Sequence, residues 1–198
     1  MKLGSAGSAR PPGLPSGVRW PLPPPSRPRF SWLLGIGLRR FVLRRVLRPA
    51  LPLLRERPRI LDLGAGTGAD WLELVRLRPS LADRPAVLVE AQKAMLTAGP
   101  SARAGTDPGE WVLGDAGRLP FRDGSFDLVL SIGTLCCVAE GSVGRVVEET
   151  TRVLAPGGIL VLTVPARRGR ADDRATARTG LVRKSGPRPG RGVWAKGQ

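Results

Sequence analysis

Between Arg59 and Pro165, short apolar runs alternate with segments whose apolar residues recur at helical spacing. Ile60-Leu-Asp-Leu63 is a short apolar run before a glycine turn, which reads as a buried strand. In Trp71-Leu-Glu-Leu-Val-Arg-Leu77, apolar residues return every three or four positions, which predicts a helix over Ala69–Arg78. Ala86–Glu90 is a second strand, Gln92–Ala98 a short helix, residues 99–109 a loop, and Trp111–Leu113 a third strand. Phe126–Ile132 is a fourth strand. A helix follows over Val143–Leu154, with Val143, Val146, Val147, Thr150 and Leu154 on one face. Ala155-Pro-Gly-Gly158 closes that helix, and Ile159–Val164 is a fifth strand, apolar throughout as parallel buried strands are. Strand and helix in alternation predict an α/β fold with a doubly wound parallel sheet.

The pattern fails at both ends. Residues 1–29 are rich in Pro and hold no acid, so neither helix nor strand suits them and a disordered tail is expected. Over 30–55 the chain becomes amphipathic: Trp32, Leu33, Leu34, Phe41, Leu43 and Leu47 are interleaved with Arg39, Arg40, Arg44, Arg45 and Arg48. The apolar run from Trp32 to Leu38 is too short for a bilayer, which needs about 20 residues. Two readings remain for 30–48. One is a lead-in helix packed beside the first strand, with its arginines outward. The other is a basic amphipathic helix on an anionic membrane. The lead-in helix is favoured. After Pro165, only Leu181-Val182 stands out among Arg, Gly, Pro and Lys. No sixth strand is expected, and 166–198 reads as a basic disordered tail.

Composition changes this picture in two places. The chain has 198 residues, enough for one domain of 56–165 plus tails, and 41% apolar residues are enough for its core. The formal charge of +16 suggests nucleic acid until its distribution is examined. Residues 1–55 carry eleven Lys and Arg and no acid, whereas 56–165 carry eleven basic and fourteen acidic residues. The basicity belongs to the ends, so no sequence-specific nucleic-acid partner is expected. An Arg-rich, acid-free start also matches a mitochondrial transit segment. Cys136 and Cys137 are the two cysteines, adjacent in sequence, and there is no histidine. Neighbouring cysteines fit a disulfide poorly, so a reducing compartment is the default and a cytoplasmic location is expected. Two thiols without histidine do not make a zinc site, and no His-based acid–base relay exists.

The chemistry is concentrated at the first turn. Gly64, Gly66 and Gly68 let the backbone approach a ligand, and the helix start after them offers unpaired N–H groups. Gly64-x-Gly66-x-x-Ala69 satisfies the dinucleotide fingerprint in form. Asp62 argues against that ligand, because a carboxylate at the turn repels a pyrophosphate and attracts a cation.

Leu61-Asp-Leu-Gly-Ala-Gly-Thr-Gly68 resembles the first motif of class I S-adenosylmethionine-dependent methyltransferases. Gly114 through Leu130 is similar to their passage from third to fourth strand, and Arg152 through Leu160 to their turn into the fifth. The similarity is greatest to the small-molecule subgroup of quinone C-methyltransferases and thiol methyltransferases. It implies a Rossmann-like fold, S-adenosylmethionine as cofactor and a small-molecule methyl acceptor. It also implies roles. Asp62 and the backbone of Gly64, Ala65 and Gly66 would hold the methionine end, and Gly68 would also be cofactor-binding. Glu90 would take the ribose hydroxyls, Asp115 with Ala116 the adenine, and Ser131 to Gly133 would border the methyl group. A carboxylate is acceptor-only, which suits ribose hydroxyls. Glu90 as a solvated strand end and Asp115 as a cap for the Ala116-Gly117 turn remain open. Asp123 and Asp127 read as structural acids. No general base is assigned; Glu140 is the nearest acid in sequence. The family continues past its fifth strand with an antiparallel strand pair that this chain lacks by pattern. The expectation is therefore a truncated sheet with an open fifth edge, available for pairing with another chain. A catalytically weak fragment or partner subunit is the alternative to an active enzyme.

Overall fold

The computed structural model describes residues 36–95, 109–163, 179–188 and 191–197. Helix α1 (Ile36–Leu47) runs through a 3-10 turn (Arg48–Leu53) into strand β1 (Ile60–Leu63), followed by helix α2 (Ala69–Leu77) and strand β2 (Ala86–Glu90). Strands β3 (Gly109–Leu113) and β4 (Phe126–Ile132) precede helix α3 (Val143–Val153), strand β5 (Leu154–Thr163), and strands β6 (Leu181–Arg188) and β7 (Arg191–Lys196). The chain divides into two units, Met1–Arg39 and Arg40–Gln198, and the sheet lies in the second.

The seven strands form one sheet in the order β3-β2-β1-β4-β5-β7-β6. The first five are parallel, with β1 between β2 and β4. The order therefore reverses between β1 and β4, and ligands of open α/β sheets bind outside the carboxyl ends of strands at such a reversal. Side-chain alternation sorts the core into two layers. Leu61, Leu63, Val89, Val129, Leu160, Leu162 and Trp194 face α3, which contributes Val143, Val146, Val147 and Val153. Ile60, Leu88, Leu128, Leu130, Val161 and Val193 face the other way, against Leu43 and Leu47 of α1 and Trp71 and Leu74 of α2. Apolar residues on both faces are what made β1, β2, β4 and β5 legible as mainly apolar runs.

Two strands depart from expectation: β6 and β7 exist. β7 pairs antiparallel with β5, with Ile159 opposite Ala195 and Val161 opposite Val193, and β6 pairs antiparallel with β7. The strand pair expected to be missing is present, so Leu181–Lys196 is not a disordered tail. The β5 edge is covered, and the expectation of pairing with another chain there fails. Three buried residues, Val193, Trp194 and Ala195, anchor β7. In β6, Leu181 is buried while Val182, Arg183 and Lys184 are exposed, as suits an edge strand. Pro187 is tolerated there because an edge strand can lack a ladder donor. Lys196 closes the arrangement: its Nζ donates to the carbonyls of Thr151 (2.8 Å) and Leu154 (2.7 Å), at the C-terminal end of α3 where a cation is favoured.

Smaller differences have local causes. α3 ends at Val153, and the ladder of β5 begins at Leu154, opposite Phe126, because Pro156 cannot continue a helix. β3 begins at Gly109, where an added Cβ would lie 1.9 Å from Leu88 Cδ1. The helix expected over Gln92–Ala98 is described only to Met95, and the loop expected over 99–109 lies outside the described residues except for Gly109. The tail expected over 1–29 also lies outside them. Arg152 pins the passage from β3 to β4. Its guanidinium donates to the carbonyls of Leu119 (3.1 Å) and Phe121 (2.8 Å), to Asp123 (2.7 Å) and to Glu149 (2.8 and 2.9 Å). Asp127, at the start of β4, accepts from the backbone N–H (2.9 Å) and Nε (3.0 Å) of Arg59, so it and the loop acid Asp123 are both held in ion pairs.

Candidate functional site

β1, β2 and β4 deliver their last residues to one rim, beside the glycine turn. Gly64, Gly66 and Gly68 have φ of 69°, 59° and 70°, the left-handed region that non-glycine residues avoid. The turn is fastened to β2, since the N–H groups of Gly64 and Ala65 both donate to the Val89 carbonyl, at 2.8 and 3.0 Å. Gly64 is also required by its neighbour. A Cβ there would lie 2.5 Å from both Oγ1 and Cγ2 of Thr134. Thr134 Oγ1 in turn donates to the Leu63 carbonyl at 2.5 Å, which ties the turn after β4 to the end of β1. Among the described residues, Gly66 has only Met95 Cε within reach of an added Cβ, at 3.6 Å. Thr134 carries no motif signal, because its partners are local to β1 and some 71 residues away.

Three expected acids stand at this rim. Asp62 is fully buried within β1, two residues before the turn. Glu90 ends β2 and is buried, with one oxygen accepting from the Gly66 N–H and the other from the Gln92 N–H, both at 2.9 Å. It is thus joined to the glycine turn and is not a solvated strand end. Each carboxylate oxygen has a second lone pair, so both can still accept from a ligand hydroxyl. Asp115, just past β3, is half-buried, and its Oδ1 accepts from the Gly117 N–H at 2.9 Å. It caps the turn that contains Ala116, which is also half-buried.

Past β4 the backbone turns at Gly133, with φ of 76°. Ser131 is buried, and its Oγ has no hydrogen-bond partner among the described residues. The Gly133 N–H donates to Thr163 Oγ1 at 2.8 Å, and its carbonyl accepts from the thiols of Cys136 (2.7 Å) and Cys137 (3.5 Å). Cys136 is half-buried and Cys137 exposed, both as thiols. No group of three or more His, Cys, Asp or Glu able to hold a metal occurs among the described residues. No helix among them is long and apolar enough to cross a membrane.

The residues fit a ligand with a cationic end and a hydroxylated ring. Buried Asp62 places a carboxyl group two residues before the turn, Glu90 supplies acceptors one strand away, and the glycines leave the space that a Cβ would fill. An ionised Asp62 would attract a cation and repel a pyrophosphate.

Comparison with known proteins gives the same direction. A methyltransferase domain family matches residues 61–162. A demethylmenaquinone methyltransferase of Clavibacter sepedonicus is 36% identical over 134 residues, 68% of this chain and 51% of that protein. Another, from Mycolicibacterium gilvum, is 38% identical over 130 residues, 66% of this chain and 51% of that protein. The chain thus spans about half the length of these curated relatives. Among solved structures, the N-methyltransferase NodS of Bradyrhizobium japonicum, in complex with S-adenosyl-L-homocysteine, superposes with a TM-score of 0.66. Identity is 16%, and the match covers 84% of this chain and 92% of that one. The matched span of residues 61–162 contains the glycine turn, the three acids and the turn after β4, and the chain belongs to the methyltransferase domain family, whose cofactor is S-adenosylmethionine.

Proposed function

We propose that this chain transfers a methyl group from S-adenosylmethionine to a small, lipid-soluble ring acceptor of the quinone type, by direct in-line displacement. The observation that carries the reading is the buried Asp62 beneath a turn whose Gly66 N–H is held by Glu90. The quinone class rests on the relatives that methylate demethylmenaquinone, at 36–38% identity.

In this reading Asp62 and the backbone of Gly64, Ala65, Gly66 and Gly68 hold the amino-acid end of the cofactor. Glu90 accepts from its ribose hydroxyls. Asp115 and Ala116 border the adenine, with Asp115 already engaged in its own turn. Ser131 to Gly133 border the reacting methyl, and the Ser131 hydroxyl is available there as a polar contact. When bound, the cofactor supplies an electrophilic methyl on a sulfonium. The chain's part is to hold acceptor and methyl in line, where proximity and orientation supply most of the rate. A carbon or hydroxyl acceptor would also benefit from a base.

Isothermal titration with S-adenosylmethionine tests the cofactor half. Saturable binding, competed by S-adenosylhomocysteine, is the expected result. Asp62→Ala and Glu90→Ala should each weaken it by at least about tenfold, the worth of one or two charge-assisted hydrogen bonds. A folded sample that takes up no cofactor overturns the reading. Incubation with a demethylated naphthoquinone, read by mass for one added methyl on carbon, tests the acceptor half. Methylation of thiols or amines but not quinones would leave the cofactor site standing and reject the acceptor.

A further inference from the structure

Arg40, Arg44 and Arg45 of α1, together with Arg48 at the start of the 3-10 turn that follows it, divide into two sets. Arg40 and Arg44 turn inward, where the Nε of each donates to the Glu73 carboxylate, at 3.2 and 2.6 Å. Arg45 and Arg48 are exposed and form no ion pair with any described residue. Between them stands Phe41, 60% exposed. At about 100° per residue, Phe41 and Arg45 lie roughly 40° apart on α1, and Arg48 opens the 3-10 turn directly after Leu47, whose backbone is still right-handed helical at φ −80°, ψ −39°. The buried Leu43 and Leu47 lie on the opposite side. The helix sequence, Ile-Gly-Leu-Arg-Arg-Phe-Val-Leu-Arg-Arg-Val-Leu, contains no acid to neutralise this stripe.

We propose that the face formed by Phe41 and Arg45 of α1 and Arg48 of the following turn docks on the surface of an anionic lipid bilayer. Phe41 enters the boundary between headgroups and acyl chains, and the two guanidinium groups pair with lipid phosphates. Charge and apolarity together select this partner. A phenyl ring exposed between two cations matches a surface that is anionic outside and apolar a few ångströms below. A nucleic-acid duplex offers the phosphates without the apolar layer. The stripe is presented outward because Glu73 and the buried leucines fix the other side of the helix. The contact is small, so binding is weak, reversible and salt-dependent. It does not depend on the cofactor reading, although a lipid-soluble acceptor would make it useful.

Co-sedimentation of the full chain tests this, using vesicles of phosphatidylcholine alone and vesicles with about a third phosphatidylglycerol. The chain should favour the anionic vesicles and release from them as salt rises. Phe41→Ser with Arg45→Glu and Arg48→Glu should lower the partition at least about tenfold. Arg122→Glu with Lys184→Glu, which makes the same change in net charge at exposed positions elsewhere, should lower it no more than about threefold. Equal losses in the two variants would assign the binding to bulk charge, and an unchanged triple variant would remove this face altogether; either overturns the proposal. A triple variant that loses binding to an RNA oligonucleotide but not to vesicles overturns it in favour of nucleic acid. If the triple variant does not fold, Phe41→Ser alone, with both arginines kept, should still lower the partition severalfold. Titration of each variant with S-adenosylmethionine should match the unaltered chain, which separates failure at this face from failure at the cofactor site.

Discussion

Gly64 and Gly66 look equivalent in sequence and are not equivalent in the structure. Both have positive φ, which costs a non-glycine residue about 1–2 kcal/mol. Gly64 carries a second demand, because any Cβ there collides with Thr134, whose hydroxyl is itself bonded to Leu63. Gly64→Ala should therefore lose both the cofactor and about 2–4 kcal/mol of stability, measured by denaturant unfolding. Gly66→Ala should lose only about 1–2 kcal/mol. Equal losses would mean that Thr134 yields without cost. The turn was legible in sequence because three glycines in five positions have few other uses. Thr134 was not legible, since nothing in Gly133-Thr-Leu-Cys-Cys137 signals a contact made across the sheet. Glu90 was legible as a strand-end acid, but its bond to Gly66 was not, because strand adjacency is a property of the sheet order.

At the scale of elements, α1 and α2 are joined through Glu73, which is 1% exposed and meets Arg40, Arg44 and Arg76 at 3.2, 2.6 and 3.2 Å. The lead-in helix was legible, but its arginines were expected outward. Two of them point inward because a buried carboxylate on α2, about thirty residues later, needs them. Burial pushes the Glu73 pKa up, but hydrogen bonds from Arg44 and Arg76 and the charges of Arg40 and Arg44 outweigh it and hold the pKa below its ordinary value. A depressed carboxylate pKa contributes stability above its unfolded value, and that contribution is lost as pH falls through the folded value. Asp127, held down by Arg59 and Arg55 against its burial, has the same sign. Glu149, held down chiefly by Arg152, has it as well. Thermal melting should therefore drop as pH falls below the carboxylate range. Glu73→Gln should lower the melting temperature near neutrality by a few degrees, corresponding to about 1–3 kcal/mol, since the arginines left behind are half-exposed and can rehydrate. The gap between variant and unaltered chain should then narrow in acid. A gap independent of pH would show that the carboxylate's charge is not what joins the helices.

At the scale of the whole molecule, β1, β2, β4 and β5 were legible because burial on both faces writes them as mainly apolar runs, and β3, half-exposed at the sheet edge, by its short Trp111-Val-Leu113 run. The antiparallel pair was not, because β6 lies at an edge with Arg183 and Lys184 in solvent, and β7 offers only Val193, Trp194 and Ala195 between Arg191 and Lys196. The pair nevertheless completes the sheet: Trp194 is 3% exposed within the α3-facing core, beside Leu160 and Leu162. Trp194→Ala should cost about 3–5 kcal/mol, as removal of a buried aromatic does. Removing residues 181–198 should do something different in kind. It strips the hydrogen-bonding edge of β5 from Ile159 to Thr163, an apolar run whose unpaired groups would template pairing with another chain. It also removes Lys196, which holds the last carbonyls of α3. The shortened chain should elute from size exclusion as higher assemblies, whereas Trp194→Ala, which keeps the β7 backbone in place, should elute as the unaltered chain does under conditions where it remains folded. If the shortened chain behaves as a stable monomer that still binds S-adenosylmethionine, the β6–β7 pair is dispensable for the sheet and its role lies with the acceptor side.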